Sequence, residues 1–270
     1  MIDSHSHTKF SHDGRENIDA MIGAAREKGL QYYAVTEHLD RDYKYCKKER
    51  FIRALNLKKY YKKVTELRES GFGDMYAAFG VEAGYSEKAA KWYEEYLAKY
   101  DFDVVINSIH TMHGQDAYFG KLFKNREKDD VYREYLDLLT ESTAVKYDYD
   151  IIGHIGYITR YSGYPNYTLC EDRFADRIDA LLKNIIALDK CVEINTHIRH
   201  PEMKYLPEKG MLQRYFELGG RRVTFSSDAH RAGDICSNYS LAASVALEIG
   251  FTHWTVYKKH TPHDVEIKLN

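Results

Sequence analysis

Histidine and carboxylate residues recur along this chain where apolar runs end, at spacings that suit metal ligation better than core packing. The first group reads Asp3-Ser-His5-Ser-His7, followed by Ser11-His12-Asp13-Gly14. Successive side chains of an extended segment point to opposite faces, so His5 and His7 share one face. Further on come Thr36-Glu37-His38, Gly80-Val81-Glu82, Ser108-Ile109-His110, Gly153-His154 and Ser227-Asp228-Ala229-His230. Asp228 and His230 form a second alternating pair. One histidine in such a place is usually a hydrogen-bonded structural residue; the same coincidence at six places is hard to explain by packing. Neutral imidazoles with a few carboxylates suit Zn, Fe or Mn, whereas Mg and Ca prefer shells made of oxygen. So many ligands exceed the capacity of one tetrahedral centre. Two or three divalent transition-metal ions are expected.

The elements that must carry these residues alternate in type. Strands are expected at Met1–His5, Tyr32–Glu37, Met75–Glu82, Val104–His110, Ile151–Ile155, Cys191–Asn195, Arg222–Ser226 and Thr252–Tyr257. Between them, apolar residues at three- and four-residue spacing predict helices at Ile18–Lys28, Ala89–Lys99, Val131–Tyr147, Phe174–Lys190, Met211–Leu218 and Ser240–Ile249. Such alternation predicts a parallel α/β sheet with right-handed crossovers, and seven or eight units suggest a closed barrel. Barrels of this kind carry their function where the C-terminal strand ends meet, which is where the histidines and carboxylates fall. The stretch near 44–73 is longer than one crossover needs and reads as an inserted helical excursion with a solvated Lys/Arg face. No repeat or linker divides residues 1–270, so a single barrel domain is expected.

Composition narrows the function. The 270 residues carry 39 Lys+Arg against 41 Asp+Glu, a net charge of −2. That balance argues against a nucleic-acid partner, which needs a cationic excess. No run approaches the ~20 apolar residues that span a bilayer. No basic start precedes an apolar stretch, and none of the four cysteines stands in CxxC spacing. A reduced cytoplasmic protein without a membrane partner is expected.

Taken together, the motifs quoted above resemble those of the polymerase-and-histidinol-phosphatase (PHP) superfamily, from the first residues to about Asn238. The resemblance implies a distorted (β/α)₇ barrel, TIM-like, with a trinuclear metal site at the C-terminal face of its strands. Carried over residue by residue, it implies nine ligands: His5, His7, Asp13, His38, Glu82, His110, His154, Asp228 and His230. In the first loop the family's next ligand falls six residues beyond the second histidine, which is Asp13; the adjacent His12 is the alternative.

A cluster of metals with open positions lowers the pKa of bound water and clamps the oxygens of an in-line displacement. Its positive charge suits an anionic substrate, and a metal-bound hydroxide attacking a phosphate monoester is the reaction expected. Glu82 and Asp228 have the two oxygens needed to bridge metals. Asp228 and His230 are the candidates for proton transfer to the leaving group. Cations are then expected at the rim. Arg160, in His154-Ile-Gly-Tyr-Ile-Thr-Arg160, and Arg199, in Glu193-Ile-Asn-Thr-His-Ile-Arg199, could hold phosphate in bidentate forks. These two segments resemble the histidinol-phosphate phosphatase branch of the family, which implies L-histidinol phosphate as the small-molecule substrate. The alternatives are another phosphoesterase of the family, a nuclease or nucleotide phosphodiesterase, and a non-catalytic metal-binding module. His197 and His200 could border the substrate; His253, His260 and His263 are expected at the surface or in local caps.

Overall fold

The computed structural model describes residues 1–41, 54–198 and 202–269. Seven parallel strands lie in the order β1 (Ile2–Asp3), β2 (Tyr32–Leu39), β3 (Tyr76–Gly84), β4 (Val104–Ser108), β7 (Ile151–Ile152), β8 (Cys191–Asn195) and β9 (Val223–Ser226). A short antiparallel hairpin, β5 (Thr111–Met112) and β6 (Gln115–Asp116), leaves the sheet after β4. The two edges meet: Ser4 N donates to Phe225 O at 3.0 Å and His7 N to Ala229 O at 2.8 Å. The result is a nearly closed, distorted barrel of seven strands, as the α/β alternation predicts.

The helices form where expected. α1 (Ile18–Glu27) starts at Asn17, whose side chain accepts from Ala20 N, and buries Ile18, Met21, Ile22 and Ala25. That one-sided spacing lays it against the barrel. α3 (Glu87–Leu97), α4 (Lys128–Ser142), α5 (Ala175–Ala187), α6 (Lys209–Glu217) and α7 (Tyr239–Ile249) complete the outer layer. Strands enclosed by helices are buried on both faces, so β3 is apolar or small at nearly every position except Glu82. Part of the expected excursion, residues 42–53, lies outside the described residues. Its second half is α2 (Leu57–Ser70), which buries Leu57, Tyr60, Val64 and Leu67. The Tyr60 hydroxyl donates toward Val35 O and Gly80 O, each at 3.0 Å, pinning the helix across β2 and β3.

The expected eighth strand forms, but outside the barrel. β10 (His253–Lys258) pairs antiparallel with β11 (Thr261–Glu266). Residues 258–261 turn too tightly for a crossover helix, so no parallel strand can follow. The hairpin caps the N-terminal end of the barrel, where Tyr32 OH donates to Tyr257 O at 2.8 Å. Trp254 is fully buried and donates its indole N–H to Tyr239 OH at 3.0 Å. Among the described residues Cys170, Cys191 and Cys236 are free thiols, and no helix is long and apolar enough to cross a membrane.

Candidate metal centre

The short strands β1, β4, β7 and β9 end early, and the chain runs on as irregular backbone over the C-terminal mouth of the barrel. Those extensions carry the histidines. His5 and His7 follow β1, His110 follows β4, His154 follows β7, and Asp228 and His230 follow β9; His38 and Glu82 lie within β2 and β3, opposite each other in register. Asp228 takes a left-handed backbone (φ 51°), a costly conformation for a non-glycine residue. It aims the side chain back over the mouth.

Glu82 is the hub. It is fully buried, and its Oε1 lies 3.0 Å from His110 Nε2 and 2.7 Å from His154 Nε2. Its Oε2 lies 2.9 Å from His38 Nδ1, 3.3 Å from His5 Nε2 and 3.6 Å from His7 Nε2. Asp228 Oδ1 lies 3.2 Å from His7 Nε2, 3.8 Å from His5 Nε2 and 3.6 Å from His230 Nδ1. Asp13 Oδ2 stands 3.1 Å from His230 Nε2 and 3.6 Å from His38 Nε2. His12 Nε2 stands farther from the same oxygen, at 3.7 Å, with its ring 5.3 Å from that of His38.

This arrangement is poorly satisfied on its own terms. Buried atoms Glu82 Oε2, His38 Nδ1 and Asp13 Oδ1 find no well-directed hydrogen bond, and His5 Nε2 faces His7 Nε2 across 2.9 Å. Buried polar groups are ordinarily paired, so converging lone pairs without donors fit cations. The donors sort into five overlapping triads: His5, His7 and Asp228; His7, His38 and His230; Glu82, His110 and His154; His38, Asp40 and His110; and His197, Asp228 and His230. Mixed imidazole and carboxylate sets of this size fit a cluster of divalent transition metals.

The electrostatics point the same way. Burial opposes protonation of His5, but the Glu82, Glu193 and Asp228 carboxylates outweigh it and hold its pKa well above the ordinary value. Burial also opposes charging His110, yet Glu82 and Asp40 push it up to about 10. For His7, burial and the neighbouring His38 and His230 rings act together, and its pKa lies well below the ordinary value. Burial raises the Glu82 carboxyl, and His110, His5 and His38 more than reverse that.

Behind the rings stands a second layer that reading by strand ends overlooks. Glu193 accepts from His5 Nδ1 at 2.6 Å, and Asp40 faces His110 Nδ1 at 2.8 Å. Carboxylates placed this way orient a histidine and raise its basicity toward a metal. Asp40 was legible: the alternation that pairs His5 with His7 also pairs His38 with Asp40. Gly84 makes room for it, since a Cβ there would lie 1.9 Å from Asp40 Oδ1.

The cluster floors a cavity of about 720 Å³. Arg160 forms part of its wall, 8% exposed; its Nη2 donates to Asn195 Oδ1 at 2.7 Å, and its buried Nε finds no acceptor. Arg199 and His200 lie outside the described residues. His197 borders the cavity with its ring 5.2 Å from that of His230. Asp116, Tyr118, Tyr157 and Tyr161 line the same cavity; the Arg160 guanidinium lies 5.5 Å from the Tyr157 ring centre, and Tyr157 OH donates to Asp116 Oδ1 at 3.2 Å. His113, in the turn between β5 and β6, pairs with Glu134, and His260 faces Asp150 at 2.9 Å.

The PHP domain model matches residues 3–197. A protein of Clostridium acetobutylicum named "Probable histidinol-phosphatase" is 33% identical over 248 residues, covering 91% of this chain and 92% of its own length. The histidinol-phosphatase of Lactococcus lactis is 27% identical over 235 residues, covering 86% and 84%. A crystal structure of a Lactococcus lactis histidinol phosphate phosphatase, complexed with zinc, L-histidinol and phosphate, superposes with a TM-score of 0.86 over 97% of this chain and 98% of that one. Its 23% identity speaks to the fold, the same distorted barrel. The span of the family match and the identity to the clostridial relative together make this chain a member of the PHP domain family.

Proposed function

We propose that the protein is a metal-dependent phosphomonoesterase that hydrolyses L-histidinol phosphate to L-histidinol and phosphate. The observation that carries this is the convergence of nine imidazole and carboxylate groups, several with unsatisfied buried atoms, beneath a cavity walled by an arginine. The relatives' names supply the substrate. Divalent ions held there supply Lewis acidity and a lowered pKa for coordinated water.

The residues divide the work. His5, His7, Asp13, His38, Glu82, His110, His154, Asp228 and His230 would hold the ions, Glu82 offering both of its oxygens to the cluster and Asp228 its Oδ1. Arg160, locked by Asn195, presents its guanidinium to the non-bridging phosphate oxygens, and Arg199 is assigned the same task from its sequence position. His230 has one ring nitrogen toward the Asp228 carbonyl at 2.9 Å and the other toward Asp13. We therefore give it a ligand's role and not that of leaving-group acid. Asp228 Oδ2, 3.2 Å from Asn195 Nδ2 and 3.9 Å from Arg160 Nη1, faces the phosphate side of the cavity. The Asp116 carboxylate and its ring of tyrosines suit the cationic amine and imidazole of histidinol.

The test is a substrate panel with the metal-loaded protein: L-histidinol phosphate, an aryl phosphate and a phosphodiester. Histidinol phosphate should give the highest kcat/KM, and exhaustive chelation should abolish turnover. Preference for the diester would move the protein to the nuclease or phosphodiesterase class. Stoichiometric metal with no turnover on any ester would favour a binding module.

A further inference from the structure

Glu37 takes no part in the site as described, yet its surroundings are unusual. It is fully buried beside His38. Its two oxygens accept from Thr8 N at 3.2 Å, Ser11 N at 2.9 Å and the hydroxyls of Thr8 and Ser11. Donors fill every lone-pair direction, which a carboxylate can accept and a protonated acid cannot. The loop is drawn tight around it: a Cβ on Gly14 would sit 2.0 Å from Thr8 O.

The Ser11 hydroxyl has one proton, and Glu37 takes it. Toward its other two neighbours Ser11 Oγ can only accept. One is His38 N at 2.9 Å; the other is His7 Nδ1 at 3.3 Å. His7 must then carry its proton on Nδ1, which leaves the Nε2 lone pair bare. Nε2 is the atom that faces Asp228 and Glu82 in the cluster.

We propose that Glu37 is a positioning residue that acts through the Ser11 hydroxyl to hold His7 in the tautomer able to bind metal through Nε2. This rests on the reading of His7 as a ligand. In Glu37→Gln an amide nitrogen in the Oε2 place donates to Ser11 Oγ, the hydroxyl turns to donate to His7 Nδ1, and the ring proton moves to Nε2; an amide nitrogen in the Oε1 place donates to Thr8 Oγ1 and leaves the relay standing. In Ser11→Ala the relay is absent but not reversed.

The experiment measures zinc affinity by competition with a chromophoric chelator, alongside circular dichroism and the unfolding midpoint. Glu37→Gln should weaken zinc binding about 10- to 100-fold with the fold retained, and Ser11→Ala by less. In the Ser11→Ala background, Glu37→Gln should cost nothing further, because its route to His7 is gone. Long-range ¹H–¹⁵N spectra of the zinc-loaded wild type should show His7 protonated at Nδ1. Additive losses in the double variant, or a His7 bound through Nδ1, would each overturn the relay. If Glu37→Gln does not fold, Ser11→Ala and the wild-type spectrum still decide. A wild type that takes up no zinc would remove the ligand reading of His7 itself, and the relay with it.

Discussion

The two ends of the barrel bury carboxylates in opposite ways. At the N-terminal end Asp103 accepts from Phe79 N at 2.9 Å, Arg68 Nη2 at 2.8 Å and Tyr76 OH at 2.8 Å. Asp150 accepts from Val105 N at 2.8 Å and faces His260 Nδ1 at 2.9 Å. A cavity of about 460 Å³ at that end is lined partly by Arg222 and Asp189, which already form a bidentate pair at 2.7 and 2.9 Å. At the C-terminal end, acceptors crowd acceptors, buried atoms stay unpartnered, and Asp228 is held in a left-handed backbone. Buried charge that the chain satisfies by itself holds the fold together. Buried charge left incomplete awaits something the chain does not supply.

Substitutions should separate these ends. The largest effect is expected from Glu82→Gln, which removes the charge shared by His5, His7, His38, His110 and His154. Bound metal should fall below that of the wild type by elemental analysis, and kcat/KM should drop about 10³-fold, equivalent to about 4 kcal/mol. Full metal occupancy with near-normal kcat would break the hub reading. Arg160→Ala should cost about 10- to 100-fold in kcat/KM on histidinol phosphate, with metal content unchanged. Unchanged kinetics would remove this arginine from the site.

Asp103→Ala tests the other end. It leaves Phe79 N and Tyr76 OH without their acceptor, at a cost of about 2–4 kcal/mol and a Tm lowered by roughly 5–15 °C. Activity per folded molecule should be retained; a large fall in kcat at normal Tm would erase the contrast between the ends. The smallest effect belongs to His260, whose pKa is raised by the Asp150 carboxylate against a lesser opposing effect of burial. A histidine with a raised folded pKa stabilises below its unfolded value near 6.5, and that contribution is lost as pH rises through the folded value. His260→Ala should lower Tm by about 1–3 °C at pH 6 and by less at pH 9. An equal difference at both pH values would show that the ion pair contributes nothing.

The clustered histidines and carboxylates were legible because a strand's period of two is short and local. His5 with His7 and Asp228 with His230 announce a shared face within three residues. The eighth strand was read correctly as a strand, and the count of seven or eight units left open whether it joins the barrel. The strand signal lies in Trp254, Val256 and Tyr257, while its partner is decided by the tight turn at 258–261. Glu193 and Glu37 were missed as supports, because what they hold lies 188 and 26 positions away in the chain; Asp40 was missed although its alternation with His38 is local.

The amino-acid sequence alone determined the alternation of elements, the end of the barrel where histidines and carboxylates gather, and the kind of metal they suit. Those follow from residue type and local period. Tertiary structure alone decided that Glu82 stands at the centre, that Asp13 lies within 3.6 Å of both His38 and His230, that Arg160 is locked by Asn195, and that carboxylates back the rings. Each of these is a distance between side chains on different strands. Such distances are set by how a twisted sheet closes on itself, and no local pattern encodes that closure.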